Sequence, residues 1–172
     1  MFLNYVKRFS LLRTLKKQLF NVKKESLILP ITSVGLIVDE RRFFETNALK
    51  NEIISNGIAE NNIKIISYKE VVKNKVTSEI PFFGWKDLNF KNEFTKQSIN
   101  DFLSKEYDLL INYYNEEDTL LLFLSQKVEA KFKVGFSAVD KRLNHLLINI
   151  ELENYKGFTH ELFRYLKILN KI

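Results

Sequence analysis

Residues 107–113 read Tyr-Asp-Leu-Leu-Ile-Asn-Tyr, a run without the strict polar alternation of a half-exposed strand. A near-continuous apolar run of this length fits a strand covered on both faces, as in parallel sheets. Residues 34–39 (VGLIVD) have the same character. Helix-sized segments separate these runs, and parallel neighbours are joined by long, usually helical, crossovers. The expected fold is therefore a single three-layer α/β/α domain with a mainly parallel, Rossmann-like sheet. Only five Gly and two Pro in 172 residues fit regular elements with short connections.

Periodicity fills in the rest. Residues 45–56 read as a helix with Leu49, Ile53 and Ile54 inward and Asn56-Gly57 as its stop. Residues 63–67 read as a strand and residues near 96–105 as a helix. Asn115 is expected to cap a helix whose first turn holds Glu116, Glu117 and Asp118, favourable at the positive end of a helix dipole. Residues 120–124 are apolar all round, so that helix should be buried on most sides. In residues 131–136, Phe132, Val134 and Phe136 should point inward and Lys131 and Lys133 outward. Residues 145–150 read as a last strand. A closing helix should bury Phe158, Leu162, Tyr165, Leu166 and Leu169. The chain divides into a basic amphipathic helix over 1–26 and an α/β domain over 27–172. An aromatic-rich insertion lies near 69–94, with Pro81, Phe82, Phe83, Trp85, Phe90 and Phe94.

Charge is unevenly distributed. Lys7, Arg8, Arg13, Lys16, Lys17, Lys23 and Lys24 all precede the first carboxylate, Glu25. The chain carries +6, so residues 25–172 carry −1 once those seven are removed. A basic segment on a near-neutral body points to an acidic partner surface, either nucleic acid or ribonucleoprotein or, next, anionic membrane. Within that segment the apolar face moves: Phe2, Tyr5, Val6 and Phe9 form one stripe, and Leu11, Leu12, Leu15, Leu19 and Val22 another. Either the helix breaks near Ser10 or one helix touches two surfaces.

Ligands of open parallel sheets sit outside the carboxyl ends of the strands. That rule selects Asp39, Glu40, Asn112, Asn115, Gly135 and Ser137 as a possible ligand edge, with Tyr68 and Glu70 beside it and Asp108 at the opposite edge. Asp39 and Glu40 are adjacent in sequence and favour ion pairing with Arg41 and Arg42 over joint catalysis. No glycine-rich phosphate loop is present. His145 and His160 lack metal-ligand spacing, and with no cysteine a thiolate site or disulfide is impossible. No cofactor and no metal is expected, and no catalytic residue stands out. Phe82, Phe83 and Trp85, next to Lys86, either pin the insertion to the sheet or form a stacking platform. No apolar run is long enough to span a bilayer, and the N-terminus lacks the apolar core of a secretory signal, so a cytoplasmic protein is expected. Richness in Lys, Asn, Ile and Phe fits an AT-rich bacterial genome.

Five stretches carry a resemblance: VGLIVDE at 34–40, FFGW at 82–85, YDLLINYY at 107–114, AKFKVGF at 130–136 and YLKILNKI at 165–172. In that order they resemble an uncharacterised bacterial domain-of-unknown-function family of similar length. The resemblance implies an α/β fold and no catalytic residues. The succession of a DLLI strand, an apolar helix and a KFKVG strand is faintly similar to one half of two-domain sugar-nucleotide glycosyltransferases. Those enzymes hold the donor between two such domains. The expectation for function is a non-catalytic binding or accessory protein whose basic helix docks on an acidic surface. The alternatives are a small nucleotide- or nucleotide-sugar-binding enzyme using the carboxyl edge, and a helix that serves as an oligomerisation arm.

Overall fold

Each long apolar run is a strand flanked by strands on both sides. In the structure, a computed structural model that describes residues 2–18, 30–69 and 79–172, β4 (Glu106–Tyr113) pairs with β1 (Val34–Asp39) and β5 (Glu129–Phe136). Beyond them lie β2 (Ile63–Tyr68), the two-residue β3 (Phe82–Phe83) and β6 (Leu146–Ile148). The order is β3-β2-β1-β4-β5-β6, and every pairing is parallel. From β1 the chain winds outward through β2 and β3, then returns to lay β4, β5 and β6 on the other side. The order therefore reverses between β1 and β4, which is the topological switch point of a doubly wound sheet.

Two apolar clusters, one on each face, make the three layers. Leu36, Val38, Leu109, Ile111, Val134 and Phe136 meet α2 (Thr46–Ser55) and α5 (Tyr155–Ile168). Ile37, Ile66, Leu110 and Tyr114 meet α3 (Gln97–Leu103), α4 (Thr119–Lys127) and two leucines of α1 (Phe2–Gln18). Residues 120–124 are all buried because α4 lies between the sheet and α1. Gly57, at φ 100°, ends α2 in a conformation that favours glycine.

Several expectations change. Helix α1 runs unbroken through Ser10, and of its second stripe Leu11 and Leu15 are buried while Leu12 is 42% exposed. Leu19, Val22, Lys23, Lys24, Glu70 and the boundary at residue 26 lie outside the described residues. The cap of α4 is Asp118, whose carboxylate accepts the Leu120 N–H at 2.9 Å, so Asn115, Glu116 and Glu117 precede the helix. Lys133 is buried, because α4 covers the face that alternation assigned to solvent. The last strand shortens to Leu146–Ile148. His145 precedes it, with Nδ1 accepting the Lys133 N–H at 2.9 Å and its ring stacked on Phe132. Phe158, Leu162 and Leu166 are buried as expected, and Phe163 with them. Tyr165 and Leu169 are exposed, since they fall off the stripe that faces the sheet.

Candidate functional site

The carboxyl edge at the β1–β4 switch point is filled by an arginine. Asp39 ends β1 fully buried, and Arg41 closes on it as a fork, with Nε donating to Oδ1 at 2.8 Å and Nη2 to Oδ2 at 2.7 Å. Its Nη1 lies 3.2 Å from Asp118 Oδ2, and the guanidinium sits over the Tyr68 ring at 4.1 Å. Burial would lower the Arg41 pKa, but the hydrogen bond and charge of Asp39, with Asp118 behind it, hold it above its ordinary value. Glu40 turns away to Lys69 and the Thr46 hydroxyl, and Arg42 pairs with Glu116 at 2.6 Å instead of with Glu40. A polar cleft of about 540 Å³ opens here, lined by Arg41, Arg42, Glu116, Glu117 and Asp118. Its two cations are both ion-paired, and its carboxylates outnumber them. A phosphate arriving here would displace bonds already made.

Of the other edge candidates, Asn112 and Ser137 bond to neighbouring side chains, while Asn112 Oδ1 and Asn115 Oδ1 are buried without a hydrogen-bond partner among the described residues. Asn112 is buried on β4 and donates through Nδ2 to Asn144 Oδ1 at 2.8 Å. Asn144 lies directly over Gly135, where an added Cβ would come within 2.6 Å of its Nδ2. Ser137 is exposed and donates to Asn149 Oδ1 at 3.1 Å. Asn115 sits in the turn after β4, half-buried. At the opposite edge Asp108 is a structural anchor. Its Oδ2 accepts from the backbone and hydroxyl groups of Thr32 and Ser33, and its Oδ1 from Lys131 at 2.8 Å. Burial alone would raise this carboxyl, yet the donors from Lys131, Thr32 and Ser33 outweigh it and hold it well below the usual carboxylate range. Beside the first half of β2 lies a second cavity of about 340 Å³, with Ile63, Ile65, Ile80, Phe102 and Tyr107 among its lining residues. Among the described residues no group of three or more metal-ligating side chains is assembled.

The basic helix and the aromatic segment form one surface. Leu11 and Leu15 enter the core beside Leu88 and Phe94. Lys7 Nζ donates to the Leu88 carbonyl at 2.6 Å and lies 5.1 Å from the Phe90 ring, while Arg8 lies 5.0 Å over Trp85. Lys7 and Arg8 thus tether α1. Arg13, Lys16 and Lys17 are exposed on its outer side and have no carboxylate partner among the described residues. Tyr5 (71%) and Phe9 (65%) protrude from the same helix, and Phe90 (62%) protrudes from the neighbouring turn. Phe83 and Trp85 are buried and pin the segment, with Phe83 tilted against Tyr68 and edge-on to Phe94. Phe82 is half-buried, ringed by Lys96 at 3.9 Å and by Lys69 and Lys86 at 5.9 Å. Sequence pattern does not group Lys7, Arg8, Lys69 and Lys96 with these rings, because the partners are far apart along the chain. The one local signal was Lys86 beside Trp85.

Among the described residues no helix is long and apolar enough to cross a membrane. Neither the curated proteins nor the solved structures contain a match to the chain, so the faint glycosyltransferase likeness gains no support there. The profile of a family of unknown function, DUF6913, matches residues 7–169, taking in the described elements from Lys7 of α1 through α5, and the chain belongs to that family.

Proposed function

We propose that this protein is a non-catalytic docking protein that binds nucleic acid through the outer side of α1. The observation that carries the reading is the exposed trio Arg13, Lys16 and Lys17, on a helix with no carboxylate, beside the protruding rings of Tyr5 and Phe9. Unpaired cations track phosphates and release their counterions, and neighbouring rings add sequence-tolerant contacts to bases. The alternative reading, a nucleotide site at the carboxyl edge, rests on the strand order. It is disfavoured by the closed Arg41 clamp and the missing glycine-rich loop.

Deleting the helix is a poor test, since Leu11 and Leu15 belong to the core. Reversing the three exposed charges, as Arg13→Glu, Lys16→Glu and Lys17→Glu together, leaves the packing face intact. The wild-type protein should be retained on polyuridylate and heparin resins at low salt, and the triple variant should elute at clearly lower salt with an unchanged melt. Equal retention of the two proteins would sink the reading.

A further inference from the structure

We propose that Phe82 and the lysines around it form a second, separate phosphate subsite, which holds the backbone of a single-stranded nucleic acid running on from α1. The inference rests on the nucleic-acid reading of α1 for its partner, and on different residues for its site. Lys96 Nζ lies 3.9 Å from the Phe82 ring centroid and donates to the Phe82 carbonyl at 2.7 Å, so it is fixed in place. Lys86 Nζ and Lys69 Nζ each lie 5.9 Å from the same centroid. Lys69 also pairs with Glu40, whereas Lys86 is exposed and has no carboxylate partner among the described residues. Lys69 already has its anion in Glu40, so Lys86 and Lys96 are the ammonium groups on this ring left to attract an incoming phosphate.

The position of this cluster extends the α1 surface. Along it Lys7 lies beside the protruding Phe90, Arg8 lies over the buried Trp85, and Lys86 and Lys96 lie on the half-buried Phe82, so Phe90 and Phe82 are the rings open to a base. Surfaces of this composition track single strands, since only an unpaired base presents its face to a ring while its phosphate meets a cation. At Phe82 itself a bilayer fits less well, although Tyr5, Phe9 and Phe90 protrude nearby. Phe82 is half-buried and ringed by charge, whereas interfacial insertion needs an apolar side that protrudes. The ligand class is thus a phosphodiester strand with unstacked bases.

The test uses the full chain and three probes of defined composition: a labelled 20-residue oligothymidylate, a duplex of equal length, and vesicles of phosphatidylglycerol with phosphatidylcholine. Fluorescence anisotropy should show the single strand bound more tightly than the duplex. Lys86→Ala, at an exposed position, should weaken strand binding several-fold and lower the salt slope by about 0.7, the value for one phosphate contact on a single strand. Phe82→Leu should keep the salt slope and lose the preference for the single strand. Unaltered affinity and slope in Lys86→Ala would overturn the subsite. So would equal binding of strand and duplex by the wild type, or binding of the vesicles without the oligonucleotide. If Lys86→Ala weakens binding while charge reversal at Arg13, Lys16 and Lys17 does not, the subsite stands and the α1 reading falls.

Discussion

Asp108 shows what a single carboxylate does when it lies away from the ligand edge. It joins the segment before β1 to β4 and β5, through Thr32, Ser33 and Lys131. Its pKa is held below that of an unfolded-state aspartate near 3.9. Its contribution is therefore fully present above about pH 4 and fades as the pH falls below that value. Asp108→Asn should cost about 1–3 kcal/mol near neutral pH, and the gap to the wild type should narrow in urea melts taken from pH 6 down to pH 3. A gap that stays constant would mean that the charge of Asp108 is idle. Lys133 works in the opposite sense. Burial pushes its ammonium down to about 8, with Glu129 a weaker opposing influence, and its only hydrogen bond among those described runs to the Ser125 carbonyl. Lys133→Met keeps the length and removes the charge. It should raise the melting temperature at pH 7, by an amount that shrinks as the pH climbs past 8 and the wild-type lysine sheds its proton in the folded state.

At the scale of elements, two neighbouring leucines of α1 separate the packed side from the presented side. Leu11 is fully buried against the α4 layer, and Leu12 is 42% exposed. Leu11→Ala should cost about 2–5 kcal/mol, and Leu12→Ala should stay within about 0.5 kcal/mol. Thermal melts of similar loss in both variants would mean that α1 does not sit as described. Elements with one dominant signal were legible in the sequence: β1 from its unbroken apolar run, β4 to within one residue, and α2 from its period and its Asn56-Gly57 stop. Elements in which two signals competed were misread. Before α4, Asn115 and Asp118 are both good caps, and the choice fell to Asp118, which also meets Arg41. In β5 the alternation of lysines imitates a half-exposed strand, though helices cover both faces. The short β3 carries too few residues for any period, and only its pairing with Ser67 and Tyr68 makes it a strand.

The whole molecule divides its chemistry between two regions. The sheet order puts a switch point between β1 and β4, and the ion pairs of Arg41 close it. Among the described residues, Arg13, Lys16 and Lys17 instead present exposed cations without a carboxylate partner on the outer side of α1. Composition alone made part of this legible, since seven cations precede the first carboxylate. It did not show that Lys7 and Arg8 are spent on tethering, or that Phe82 gathers lysines from three separate stretches, because those are tertiary contacts. Nucleic-acid binding through α1 requires that Arg13, Lys16 and Lys17 meet phosphates directly. The most direct measurement is the slope of log Kobs against log salt for a single-stranded oligonucleotide, compared between the wild type and the variant with all three changed to Glu. Direct phosphate contact by the three residues predicts a slope shallower by about 2 in the variant, at roughly 0.7 per lost phosphate contact, with the melting temperature unchanged. An identical slope in the two proteins would contradict it.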